Sequence, residues 1–173
     1  MNARNLLDHC QRALELARKH GADQAEVFGE TSRRITSAVE KDDLQISKSQ
    51  QETRIGLRAF VGAQVGFAST NHLTKTEDAA RDAVTLAKAS PGDPHNVLPE
   101  PAAAEPVDGT YDPDADGFTT ADAVKQAIRM LETAKSVDPR VIVGEAEFSA
   151  EIRDRVLQDA PRSVALRPIL ADG

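Results

Sequence analysis

Four histidines and one cysteine are the side chains best suited to hold a metal ion or activate a nucleophile in this 173-residue chain: His9, His20, His72, His95 and Cys10. A catalytic zinc site needs two or three imidazoles or carboxylates converging on one ion, commonly two His one helical turn apart beside a Glu. The spacing here does not supply that. His9 and His20 fall eleven residues apart on one predicted helix, about 16 Å at the helical rise, too far for a shared ion. His9 next to Cys10 reads as a surface imidazole beside a packed thiol. His72 follows Ser69, Thr70 and Asn71, but no Gly-x-Ser-x-Gly turn accompanies it, so the segment reads as a hairpin exit leading into a helix. Gly62 and Gly66 sit within strand alternation and lack the Lys-Ser/Thr of a phosphate-cradling loop.

The run Asp112-Pro113-Asp114-Ala115-Asp116-Gly117 resembles the first half of a calcium loop, with acids at positions 1, 3 and 5 and Gly at position 6. Asp112, Asp114 and Asp116 are therefore the one candidate cation set. Against it, position 12, where a bidentate Glu belongs, is Ala123, and Pro113 stiffens the second position. The simpler reading is an acidic loop placed before a helix N-terminus, where negative charge is favoured. Arg33-Arg34 and the pair Arg153 and Arg155 are too short to be more than solvated surface charge. No catalytic residue, cofactor-binding residue or firm metal ligand emerges.

The elements that would position these residues can be read from hydrophobic periodicity. Leu6, Cys10, Ala13, Leu14 and Ala17 mark one face of a helix over Asn5 to His20, which Gly21 ends. From Gln24 to Thr70 the period falls to two: Ala25 to Glu30, Ile35 to Glu40, Leu44 to Ser49, Ile55 to Val61 and Val65 to Thr70 read as strands. Lys41-Asp42-Asp43 and Gly62 supply turns between them. Thr74 with Glu77 predicts the cap of a second helix running to Ser90-Pro91, and Thr119 with Asp122 that of a third, ended by Asp138-Pro139. Residues 91 to 118 hold six of the nine prolines and read as an acidic, extended loop. Val141 to Ala150 returns to strand chemistry, with Gly144 marking a sheet edge or a bulge. The expected fold class is α+β: a mostly antiparallel sheet with about three helices packed as one layer.

Eight acidic residues and no Lys or Arg lie between Ala89 and Val124, whereas the rest of the chain has 20 acids against 21 bases. The net charge of −7 thus belongs to one loop, and no broad basic surface for nucleic acid remains. A lone cysteine offers no intramolecular disulfide, the first twenty residues have no apolar segment of signal-peptide type, and no apolar run is long enough to span a bilayer. The expectation is a cytoplasmic chain that binds neither nucleic acid nor membrane.

The blocks Gly21-Ala22-Asp23-Gln24-Ala25-Glu26-Val27-Phe28, Ile55-Gly56-Leu57-Arg58-Ala59-Phe60-Val61 and Gly62-Ala63-Gln64-Val65-Gly66-Phe67-Ala68-Ser69-Thr70-Asn71 resemble, in that order, the N-terminal domain of the TldD/PmbA family. Ala87-Lys88-Ala89-Ser90-Pro91, Tyr111-Asp112-Pro113 and Val137-Asp138-Pro139-Arg140-Val141 are similar to later landmarks of the same domain. The resemblance implies a domain over 1–155, including the Pro-rich loop at 91–118, with 156–173 a divergent and disordered tail. It also implies zinc peptidases, long labelled modulators of DNA gyrase, that act on unfolded or small peptides. Their zinc is implied to sit in a C-terminal domain on a His-Glu-x-x-x-His helix, which this chain does not contain, so no functional residue carries over. The expected role is a non-catalytic domain or fragment of such a system. Its partner would be a TldD/PmbA-type subunit or a C-terminal domain of its own, and its substrate an unfolded peptide. A free-standing assembly module without proteolytic activity is the alternative reading, and a homo-oligomer is compatible with both.

Overall fold

The computed structural model describes residues 3–100, 109, 112–160 and 167–170. In chain order the elements are α1 (Ala3–Lys19), β1 (Gln24–Glu40), β2 (Asp43–Val61), β3 (Gln64–Thr70), a 3-10 turn (Leu73–Lys75), α2 (Thr76–Ala89), α3 (Pro113–Asp116), α4 (Thr120–Val137), β4 (Glu145–Ala160) and β5 (Arg167–Leu170). The architecture is mixed α+β, with strands in the order β3-β2-β1-β4-β5. The chain divides into two compact units. One takes Met1–Thr31, Glu52–Thr110 and Asp154–Gly173, and the other Ser32–Gln51 and Tyr111–Arg153.

The first unit is built on aliphatic and small side chains. The face of α1 read from the sequence is buried as expected, with Leu16 added to it. It meets Ala25 and Val27 of β1, Ile55, Leu57 and Ala59 of β2, Ala80, Ala83 and Val84 of α2, and Val156 of β4 in one hydrophobic cluster. The end of α1 shows why Gly21 stands there. At φ 103° it takes the left-handed conformation that other residues resist. Gly21 and Ala22 then donate their N–H groups to the carbonyls of Arg18 and Ala17, which the helix would otherwise leave unpaired.

The hairpin of β2 and β3 runs from Ile55↔Thr70 to Val61↔Gln64, so its turn is only Gly62-Ala63. Gly62 has φ 60°, fitting a two-residue hairpin turn that needs a left-handed first position. Further along β3, Gly66 has a different purpose. A Cβ there would fall on the carbonyl oxygen of Ala83 and the amide nitrogen of Ala87. The backbone of α2 therefore lies directly on the strand, and its buried residues are Thr76, Ala79, Ala80, Ala83, Val84 and Ala87.

In the second unit, Lys41 (φ 51°) and Asp42 (φ 70°) form the turn between β1 and β2, both left-handed as a type I′ turn requires. This turn is held at four points. The Asp42 carboxylate accepts from the Val143 N–H at 2.9 Å and from Lys135 Nζ at 3.0 Å. Lys41 and Asp42 donate their own N–H groups to the carbonyls of Gly144 and Val143. A full capping box of Thr119 and Asp122 starts α4, as the sequence predicts. Ile35 and Val39 of β1 and Ala123 and Ala127 of α4 are buried.

Several expectations need correction. The separate strands predicted at 25–30 and 35–40 are one strand, Thr31 to Arg34 containing no Gly, Pro, Asn or Asp to turn the chain, and those at 44–49 and 55–61 merge likewise. Thr74 and Glu77 make no capping box. A 3-10 turn precedes α2, whose N-cap is Lys75 without a side-chain bond, and Glu77 bonds Lys19 at 3.2 Å instead. The loop at 91–118 contains the single helical turn α3, while 101–108, 110 and 111 lie outside the described residues. The strand expected at 141–150 begins at Glu145 and continues to Ala160, and its Val156 to Asp159 pair with β5. Of the expected tail, 161–166 and 171–173 lie outside the described residues.

Replacing Gly66 with Ala places a methyl group inside the backbone of α2, and overpacking of this kind costs about 1–3 kcal/mol or more. Gly144, where a Cβ would meet nothing within 4 Å, is the internal control. Urea unfolding is expected to show a large loss for Gly66→Ala and a loss within about 0.5 kcal/mol for Gly144→Ala.

Candidate functional site

The residues singled out for chemistry lie on different elements. Cys10 and His9 sit on α1, and Cys10 is fully buried, with its sulfur 2.5 Å from where a Cβ on Gly29 would project. Burial pushes the thiol up to about 12, so it stays protonated and inert at neutral pH. His20, in the C-terminal turn after α1, approaches Glu77 of α2 at 3.8 Å. His72 is exposed at the start of the 3-10 turn and donates its N–H to Thr70 Oγ1. His95 is exposed and donates its N–H to the carboxylate of Asp93.

In the calcium-like run, Asp112 acts as the N-cap of α3. One of its carboxylate oxygens accepts from the N–H groups of Asp114 at 2.9 Å and Ala115 at 3.3 Å. Pro113 opens the helical turn, and no side-chain bond from Asp114 or Asp116 supports a shared cation. Across the described residues, no three His, Cys, Asp or Glu side chains are grouped closely enough to hold a metal ion.

Arg33 and Arg34, expected to be solvated, have structural partners. Arg33 donates to the carbonyls of Asp116 at 2.5 Å and Phe118 at 2.9 Å, closing the link between α3 and α4. Phe118 in turn stacks on Phe148 with ring centroids 5.5 Å apart. Arg34 and Arg153 both bond the carboxylate of Glu151, at 2.8 and 2.7 Å. Arg153, then Arg34, draws the Glu151 carboxyl down to about 2.

A surface feature not anticipated from the sequence lies on the first unit's strands. Phe67 of β3 is 59% exposed and Phe28 of β1 43% exposed. The Phe67 ring lies over Gly56, where a Cβ would come within 3.3 Å of it. An aromatic ring seated over a strand glycine covers backbone that no side chain protects. Charge pairs accompany these rings: Glu26 with Arg58 at 2.9 Å and Glu30 with Arg155 at 2.7 Å. The signal was strand parity, since Phe28 and Arg58 alternate with the core residues Val27 and Leu57, and Phe67 pairs with Arg58 in register.

Comparison with known proteins puts this arrangement in a family context. Residues 25–90, from β1 through α2, match the family model for PmbA/TldA metallopeptidase domain 1. That stretch is therefore similar to the first domain of the TldD/PmbA family. The fold of the chain agrees with that of TldE from Thermococcus kodakarensis at a TM-score of 0.75 and 17% identity, over 92% of this chain and 36% of that one. A Bacteroides thetaiotaomicron protein described as a modulator of DNA gyrase agrees at 0.72 and 20% identity, over 93% of this chain and 37% of that one. A Thermotoga maritima protein of the same description agrees at 0.72 and 12% identity, over 93% and 36%. The chain thus spans little more than a third of the solved structures it resembles. Comparison with curated protein sequences returns no match.

Two measurements test the electrostatics. Cys10 is expected to resist a thiol reagent at pH 8 and to react orders of magnitude faster in urea; equal rates would contradict its buried, protonated state. The folded Glu151 carboxyl titrates near 2 against about 4.5 when unfolded, so its stabilising pairing is present above pH 4.5 and fades as pH falls toward 2. The difference in urea midpoint between wild type and Glu151→Gln is therefore expected to shrink over that range, and a difference independent of pH would contradict the assignment.

Proposed function

We propose that this chain is a non-catalytic N-terminal domain of a TldD/PmbA-type zinc metallopeptidase system, and that it helps enclose unfolded or small peptides beside a zinc site carried elsewhere. The observation that carries the reading is the match of residues 25–90 to the family's first domain in a chain whose sequence has no His-Glu-x-x-x-His run. An interior hydrolytic site needs walls that exclude water and bulk protein. A strand surface that shows Phe28 and Phe67 between charge pairs suits contact with extended polypeptide of varied sequence. The zinc chemistry would come from a partner subunit or from a C-terminal domain outside these residues. A reducing, cytoplasmic setting goes with this proposal, and the buried free thiol of Cys10 suits it.

The test is cleavage of an unfolded model peptide in the presence of zinc. The purified chain is expected to be inactive by itself, and activity is expected when a polypeptide carrying the His-Glu-x-x-x-His helix is added. Chelator-sensitive cleavage by the chain alone would overturn the proposal.

A further inference from the structure

We propose that the end of β4, residues 155–159, is a displaceable strand, which together with β5 leaves the edge of β1 as one piece while the rest of the first unit stays folded. The observation that carries this is Gln158. Its side chain is fully buried, and neither the oxygen nor the nitrogen of its amide has a hydrogen-bond partner among the described residues. A buried amide in this state has given up its bonds to water and gained none in return. Opening the strand restores them, so this side chain favours the open form.

What holds these residues in place is slight. Among the described residues, β4 supplies only Val156 to the buried cluster of the first unit, and the other members come from α1, β1, β2 and α2. The gain from burying one valine is of the same size as the cost of one unpaired buried amide, so the two largely offset each other. The Glu30–Arg155 ion pair that ties β1 to β4 lies at the surface, where isolated pairs add little. On its other side the strand meets β5, which is four residues long and stands at the end of the sheet. Opposite Gln158, β5 places Pro168, which has no N–H to offer.

The chain carries its own reporter of this opening. The ion pairs Arg34–Glu151 and Glu30–Arg155 set β4 antiparallel to β1, because a step forward along one strand matches an equal step back along the other. With Arg155 across from Glu30, Val156 lies beside Gly29 and Gln158 beside Val27, and all four are buried. The sulfur of Cys10 occupies the space above Gly29, and Cys10 and Val156 belong to the same cluster. Loss of Val156 therefore opens one flank of the thiol to water while α1, β2 and α2 keep their packing. The inference stands whether or not the chain serves a peptidase.

The slow reaction of Cys10 with a thiol reagent in the folded chain is expected to proceed through this opening. Below the unfolding transition its rate is expected to be nearly flat in urea, because the opening exposes little surface, and to turn steep only where global unfolding takes over. Gln158→Leu removes the unpaired amide and is expected to slow labelling about tenfold. Leu86→Gly, at a half-exposed position of α2, is expected to lower the urea midpoint through helix propensity and to leave labelling without urea unchanged. Hydrogen exchange on the unaltered chain is an arm free of substitutions: amides of residues 156–159 are expected to exchange by the same urea-independent opening, and those of 55–61 only by global unfolding. Labelling that rises steeply from the lowest urea, equal rates in Gln158→Leu and wild type, faster labelling in Leu86→Gly, or equal protection of 156–159 and 55–61 would overturn the proposal.

Discussion

Backbone-to-backbone contact between α2 and β3 at Gly66 is the constraint on which the first unit depends. With Phe60 the one aromatic buried among the described residues, the core has no large rings to bridge a wide gap between helix and sheet. Burial of small side chains gains enough contact only if the layers come close. Ala79, Ala80, Ala83 and Ala87 on the helix, and Gly66 on the strand, allow that approach. Gly29 does the same for α1, leaving room for the sulfur of Cys10 and the Leu6 side chain. The thiol is thus explained as packing, and its protonated state follows from the same burial.

The second unit rests on polar anchoring. Its turn at Lys41-Asp42 is bound to Val143, Gly144 and Lys135, its α3–α4 link is closed by Arg33, and Glu151 gathers two arginines. Isolated exposed ion pairs contribute little to stability. These pairs act with backbone hydrogen bonds and so fix where chain segments meet.

Periodicity made the helices and hairpins legible because burial on one face leaves a pattern in the sequence. The face of α1, the stop at Gly21, the Gly62 turn and the Thr119 box were all local and could be read directly. The merging of short strands into β1 and β2 was not, since the polar stretches Thr31 to Arg34 and Ser49 to Arg54 have no apolar alternation and are held in strand form by ladder pairing. The start of α2 was misread because Glu77 had a distant partner, Lys19, that no local pattern reveals. Arg33 resembled any surface arginine, as its carbonyl partners are more than eighty positions away. The exposed Phe28 and Phe67 were visible only through strand parity and register.

The proposed role is that of a scaffold within a TldD/PmbA-type system, and it requires that this chain hold no zinc of its own. Calorimetric titration of the intact chain with zinc addresses that claim most directly. Weak, non-saturating heats are the expected result, and a saturable site at one zinc per chain would contradict the account.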